Sequence, residues 1–379
     1  MSRTMLALGL MSGTSLDGVD AALIETDGEA LVRPVAFVGR EYDDAQRATL
    51  AEATRVALTL TAPGMLPPIA AAERVVTKAH AAAVQALLAD AGVEPGTVSV
   101  IGFHGQTVAH RPDRGWTWQI GDAARLAALT GIRVVSDFRS ADVAAGGQGA
   151  PLLPIYHAAL AAGLEKPVAV LNLGGVANIT FIGAGELIAF DTGPANGLVD
   201  SWMERTTGAR FDRDGALAAS GRVDETVLAA MLDHSFFDAP PPKSLDRGDF
   251  TIQPARGLSP EDGAATLTAF TAATVAEALR HLPERPRRLL VAGGGRRNPV
   301  MLRMIAEATG LIPEPTDTLG WNGDAVEAEG FAYMAVRALR GLPISFPGTT
   351  GVPRPITGGI ITDPPNAFSS VHASPRPAQ

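Results

Sequence analysis

The sequence contains no cysteine. Disulfides, thiolate nucleophiles and cysteine-ligated zinc are therefore excluded. A reducing compartment suits such a chain, and a cytoplasmic location is the expectation. The seven histidines include no His-x-x-x-His or His-Glu-x-x-His pair, which argues against a zinc metalloprotease. No run approaches the length of apolar residues that crosses a bilayer, so no membrane partner is expected. The apolar stretch Met5–Met11 contains Gly9 and leads straight into Ser12, too short and too polar at its end for a signal peptide. Positive charge is scarce: 31 Lys+Arg stand against 40 Asp+Glu, a formal net charge of −9. That surface repels a phosphate backbone, so nucleic acid is not an expected partner, although local amides and cations can still hold a small anion. Also missing are the Gly-Lys-Ser/Thr ending of a Walker A loop, a Gly-x-Ser-x-Gly elbow, heptads and basic–aromatic clusters.

What is present is a globular composition, 46% hydrophobic and 19% charged, over 379 residues. That length suits two domains with separate cores. Leu6–Leu10 and Val19–Thr26 read as strands around a polar turn. Ala70–Ala91 has helical apolar spacing and stops at Gly92. Val98–Gly102 reads as a short buried strand delivering His104–Thr107 at its end. Gly121–Thr130 and Pro151–Gly163 read as helices, Arg133–Ser136 as a strand, and 144–151 as a glycine-rich loop. A boundary is expected at Glu165-Lys166-Pro167. Beyond it, Val168–Leu173, Ala177–Ile182, Glu186–Phe190 and Arg288–Val291 read as strands. Pro260–Leu282, Pro299–Thr309 and Asp324–Leu339 read as helices. Ala239–Phe250 reads as a proline-rich surface loop. Alternating strands and helices predict an α/β class. Both halves open with strand–turn–strand and place glycine in the turn, which reads either as an internal repeat or as a chance likeness of two hairpins.

Several motifs could carry chemistry, and each has a plainer reading. Gly13-Thr14-Ser15-Leu16-Asp17-Gly18-Val19-Asp20 offers close backbone approach, hydroxyl donors and carboxylates for water on a magnesium ion, or it is an ordinary polar turn. Asp191, at the carboxyl end of a strand before Gly193, stands where open α/β sheets bind ligands, or it caps a helix. Gly293-Gly294-Gly295, before Asn298, permits close approach of a ring or phosphate, or simply makes a tight turn. His104, Gln106, Thr107, Arg139, Asp142 and Gln148 are polar groups placed after strands and suited to hydroxyl and carboxylate recognition. Against this, a single histidine is more often structural. Glu327 and Glu329, on a helix, read first as a solvated face.

Taken in order, these segments resemble the anhydro-N-acetylmuramic acid kinase family. The resemblance rests on Gly9–Asp20, Gly102–Thr107, Ile120–Asp122, Asp137–Arg139, Ala144–Pro151, Leu171–Asn178, Phe190–Pro194, Phe211–Gly215 and Val291–Gly295. It implies a two-lobed actin/hexokinase (ribonuclease H-like) fold with a nucleotide cleft between the lobes. It also implies ATP and Mg2+, a homodimer, and opening of a 1,6-anhydro amino sugar with phosphorylation of O6 during peptidoglycan recycling. In this reading 1–165 form an N-terminal lobe, 166–363 a C-terminal lobe, and the residues from 364 a loose tail. The resemblance implies that Asp191 is the general base and that Glu327 is an active-site glutamate. Gly13–Asp20, Gly175, Asn178, Gly193, Gly293–Gly295 and Asn298 would hold ATP. His104, Gln106, Thr107, Arg139, Asp142 and Gln148 would hold the sugar, with the Arg139 fork on a carboxylate. Asp17 and Asp191 would serve magnesium, directly or through water. Ala195 stands where relatives often carry glycine, so that turn must tolerate a Cβ. The rival readings are another sugar or carboxylate kinase on this fold, an actin- or chaperone-like ATPase, and a catalytically dead binding protein.

Overall fold

The computed structural model describes residues 3–245 and 248–365; the tail expected from 364 lies almost wholly outside them. Two sheets dominate. The first contains β1 (Met5–Ser12), β2 (Gly18–Thr26), β3 (Val32–Glu41), β4 (Val100–Arg111), β5 (Trp116–Ile120), β6 (Val134–Ser136) and, from the far end of the chain, β12 (Ile360–Thr362). The second contains β7 (Val168–Leu173), β8 (Val176–Ile182), β9 (Leu187–Pro194), β10 (Arg288–Ala292) and β11 (Pro313–Pro315).

Their internal order repeats. One sheet runs β6-β4-β1-β2-β3 and the other β11-β10-β7-β8-β9. In each, the leading strand is antiparallel to the next in sequence and parallel to the strand that returns after a helical excursion. The hairpin repeat read from the sequence is thus a repeat of topology, in two α/β lobes of matching strand order.

Helix boundaries follow local chemistry. The helix Pro67–Ala91 has Pro at its first positions and stops at Gly92 with φ 62°. Asn298 caps the helix Pro299–Thr309, and Gly310 ends it at φ 66°. Apolar side chains of β1, β2 and β4 pack on the helices Asp44–Ala57 and Pro67–Ala91. On the other face Ala7, Ile24 and Val100 meet the helix Val326–Leu339. The second sheet buries its apolar face against Pro260–Leu279 and Pro299–Thr309.

Two expectations are corrected. Residues 326–362 do not belong with the second lobe. The helix Val326–Leu339 lies so close to the first sheet that a Cβ on Gly9 would stand 1.8 Å from Ala328 O, and one on Gly102 2.0 Å from Phe331 O. β12 then pairs with β6. A linear boundary fails because the chain crosses back once the second lobe is complete. In addition, His104–Thr107 do not follow a short strand. They lie inside the long β4, where Gly105 takes φ 71° and the register with β1 shifts.

Candidate active site

The five residues between Ser12 and Gly18 form an open tip, and Thr14, Ser15 and Asp17 are exposed. Leu16 adopts φ 61° and donates its N–H to Gly13 O at 3.2 Å. Beneath the tip, Ser12 Oγ donates to Gln106 Oε1 at 2.6 Å, and Gln106 Nε2 donates to Gly13 O at 3.1 Å. Gln106 therefore braces the hairpin from below. At the start of β2, Asp20 is half-buried. Burial pushes its carboxyl up to about 7, and the nearby charges of Glu327, Asp324 and Asp17 add to the rise.

The tip of the second sheet is only Gly174-Gly175. Its carbonyls are taken by the start of the next helix: Asn196 N donates to Gly174 O at 3.0 Å, and Ala195 N and Gly197 N donate to Gly175 O at 3.0 and 3.1 Å. Ala195 sits at φ −126°, a value that accommodates its Cβ.

Between the lobes lies a cavity of about 160 Å3, lined by Arg139, His157, Asn172, Asn178, Asp191 and Glu327 among others. Asp191 reaches it from β9, in register with Asn178 of β8. Glu327 enters from the first turn of its helix. Burial raises its carboxyl, and Arg139 and a hydrogen bond with Asn172 pull it back. The solvated-face reading fails for both glutamates: Glu329 is buried and accepts from Tyr156 OH at 2.6 Å. A larger hollow of about 420 Å3, lined by Asp137, Ser140, Gly358 and Gly359 among others, gathers neither Asp191 nor Glu327.

Arg139 is held from behind. Its Nη1 donates to Gly149 O at 2.7 Å, while Nε and Nη2 lie 3.3 and 3.1 Å from His104 Nε2. Because His104 Nδ1 faces the Gly105 carbonyl at 2.9 Å, that nitrogen carries the proton and Nε2 accepts from the guanidinium. His104 is thus locked as a neutral imidazole, and burial together with the Arg139 charge holds it well below the usual histidine range. Burial also brings Arg139 down to about 10, against the opposing pull of Glu327 and Asp142. The three contacts leave some of the guanidinium's five N–H donors for a ligand.

Not every expected residue faces the cavity. Asp142 uses both oxygens inside the protein, accepting from Gly149 N and Thr350 Oγ1 at 2.6 Å each. Thr107 Oγ1 accepts from Gln119 at 3.2 Å. Gly193 is buried under the helix Pro260–Leu279, where a Cβ would meet Thr274 Oγ1 at 2.6 Å. Asn298 Oδ1 caps Val300 and Met301. Gly293 takes φ 77°, and its Cβ would stand 2.5 Å from Asn172 Oδ1, so tight packing against the end of β7 alone requires glycine there. Arg296 anchors that turn with bonds to Asp317 at 2.7 Å and Asp324 at 3.0 Å. Asp17 pairs with Arg210 across the cleft at 3.4 Å.

Sequence reasoning missed Asn172, His157 and the loop 243–245. Asn172 was visible only through the repeat. His157, held by Thr180 Oγ1 at 2.9 Å, is a lone histidine in a helix and gave no signal. Among the described residues no helix is long and apolar enough to cross a membrane. Likewise no group of three or more His, Asp or Glu side chains that could hold a metal ion is present among them.

Comparison with known proteins supplies the chemistry that such a cavity serves. A family model described as anhydro-N-acetylmuramic acid kinase matches residues 5–364. A protein of that name from Rhizorhabdus wittichii is 70% identical over 362 residues, covering 95% of this chain and 99% of its own. Its counterpart from Zymomonas mobilis is 56% identical, covering 94% and 99%. One from Nitrobacter winogradskyi is 53% identical, covering 95% and 100%.

Proposed function

This chain belongs to the anhydro-N-acetylmuramic acid kinase family, and from that premise we propose how its cleft works. The protein is an ATP-using kinase. It opens the 1,6-anhydro ring of anhydro-N-acetylmuramic acid with water and transfers the γ-phosphoryl group to O6, giving N-acetylmuramic acid 6-phosphate and ADP. The observation that carries the assignment of roles is the convergence of Asp191, Glu327 and Arg139 on one cavity between the duplicated sheets.

In this reading Asp191 takes a proton from the water that attacks the anomeric carbon. The bond from that carbon to O6 breaks, and O6 attacks the γ-phosphorus as ADP leaves. The Arg139 fork, set by His104 and Gly149, receives the carboxylate of the sugar's lactyl group. Glu327 and Asn172 shape the wall beside it. The tip Gly13–Asp17 and the turn Gly174-Gly175 approach the phosphates from opposite lobes, and Gly293–Gly295 lies at the nucleoside end.

Phosphoryl transfer depends on positioning and charge stabilisation. A magnesium ion, when bound, supplies the charge that neutralises the phosphate oxygens. The donor chemistry fits it: Asp20 is pushed up to about 7, in part by the charges of Glu327, Asp324 and Asp17, a local excess of negative charge that a divalent cation relieves. Asp20 and Asp17 are the residues that would hold it, directly or through water. We further propose a homodimer working in the cytoplasm.

The deciding experiment is ADP release with magnesium and ATP, with and without 1,6-anhydro-N-acetylmuramic acid, for wild type and Asp191→Asn. Sugar-dependent turnover is expected, lost by about a thousandfold or more in the variant. Turnover of ATP indifferent to the sugar sinks the substrate reading.

A further inference from the structure

The proline-rich loop that the sequence marks only as surface runs along the open edge of the second sheet. β9 is the last strand of that sheet, so its outer N–H groups need partners. Asp191 N donates to Lys243 O at 2.9 Å. Two residues later the loop gives back: Leu245 N donates to Asp191 Oδ2 at 2.8 Å. Lys243–Leu245 thus clasps Asp191 at its backbone and at its carboxylate.

The clasp is tied to both lobes. Lys243 Nζ donates to Phe236 O and Phe237 O at 2.8 and 3.1 Å, which fixes its start within the second lobe. Between the two bonds to Asp191, Ser244 Oγ donates to Gln148 Oε1 at 3.2 Å. Gln148 stands in the glycine-rich loop of the first lobe. That loop is itself secured, since Gln148 N donates to Thr350 O at 2.7 Å and Thr350 Oγ1 donates to the buried Asp142. The Asp142 that receives this bond also holds Gly149, whose carbonyl holds Arg139. A continuous set of hydrogen bonds therefore joins the arginine of one lobe to the carboxylate of the other.

We propose that Ser244 is a positioning residue for the reaction. Its bond to Gln148 seats the loop against the first lobe, and so presents the Leu245 N–H to Asp191 when the lobes are together. This rests on the reading of Asp191 as the base. A carboxylate that must meet one water needs a fixed orientation, and small displacements cost rate rather than binding. Loss of the tie therefore lowers kcat and leaves substrate binding in place.

The test measures kcat and both KM values for Ser244→Ala, Ser244→Thr, Gln148→Ala and the double variant, with Asp191→Asn as reference and melting curves to confirm folding. Expected is a fall in kcat of about ten- to a hundredfold in Ser244→Ala, with both KM values nearly unchanged. Ser244→Thr, which keeps the hydroxyl, should recover most of the rate. The double variant should be no worse than Ser244→Ala, because both changes break one bond. Wild-type kcat in Ser244→Ala alongside an inactive Asp191→Asn overturns the inference and leaves the base reading intact. Additive losses, or a rise in sugar KM from Gln148→Ala alone, overturn it too. An active Asp191→Asn removes the base reading and the inference with it.

Discussion

The two hairpins that open the two sheets share a topology and differ in their tips. The first tip is long, polar and exposed, and it closes on itself through Leu16 and Gly13. The second is a pair of glycines whose carbonyls are bound by residues 195–197. Near the first tip the pair across the strands is Met11 and Asp20; near the second it is Asn172 and Asn178. One lobe therefore brings acid and hydroxyls to the cleft, and the other brings amides and a rigid frame for Asp191. A duplicated scaffold supplied two equivalent positions, and their side chains have diverged.

The largest effect should come from how each lobe covers its sheet. In the first, a helix crosses so closely that a Cβ on Gly102 meets backbone, 2.0 Å from Phe331 O. In the second, a Cβ on Gly193 meets the Thr274 side chain at 2.6 Å. A backbone oxygen cannot rotate away, whereas at Thr274 Oγ1 and Cγ2 can turn aside and only Cβ, at 2.7 Å, stays fixed. Gly102→Ala should cost about 3 kcal/mol or more of stability and Gly193→Ala about 1–2 kcal/mol, read by urea unfolding. Equal costs would break the comparison, since they would mean that both helices are equally fixed.

Next comes the acid of the first hairpin. Asp20→Asn makes that position resemble Asn178 in the second. Burial and the neighbouring carboxylates push the folded Asp20 carboxyl up to about 7, well above the usual carboxylate range. The protonated form is thus favoured by folding: its contribution is complete below the unfolded value and lost as pH rises through about 7. Without magnesium, the variant should match wild type near pH 4 and exceed it by about 1–2 kcal/mol at pH 8, after allowance for partial exposure. Saturating magnesium should narrow the gap, because the cation offsets the same repulsion in wild type only. A gap independent of pH would remove the acid cluster from the account of the site.

Much of this was legible in the sequence because it is written locally. Gly92 and Gly310 end helices where expected, and the paired hairpins announced the duplicated sheets. Asp191 could be singled out because it follows an apolar run and precedes a glycine, although it lies inside β9, which continues to Pro194, and not at the strand's end. What was not legible depends on contacts between distant segments. Nothing near Val326 says that its helix returns to the first sheet; the sign lies far away, in Gly9 and Gly102, where small residues make room for it. Glu327 looks like a solvated helix residue until that return carries it into the cleft. His104 looked like a ligand contact; its tautomer is fixed by the adjacent Gly105 carbonyl, and its other nitrogen is taken by Arg139, which arrives from a distant segment. The clasp of 243–245 on Asp191 had no signal beyond its prolines, because main-chain hydrogen bonds of a loop leave no residue preference behind.

The smallest change in stability should come from the tips themselves, and it sharpens the comparison most directly. Neither Gly13 nor Gly175 adopts a positive φ. A Cβ on Gly13 would touch only Ser15, at 3.5 Å, and one on Gly175 would meet nothing within 4 Å. Gly13→Ala and Gly175→Ala should therefore shift unfolding by less than about 1 kcal/mol, in either direction. The fold leaves room for a methyl group at both, so the proposed approach of a phosphate is what their glycines test. If both tips approach the phosphates, each variant raises the KM for ATP while sugar KM stays put. A rise from Gly13→Ala alone would assign the phosphates to the first lobe and leave the second tip as a frame for Asp191. A rise from neither would return both tips to ordinary turns.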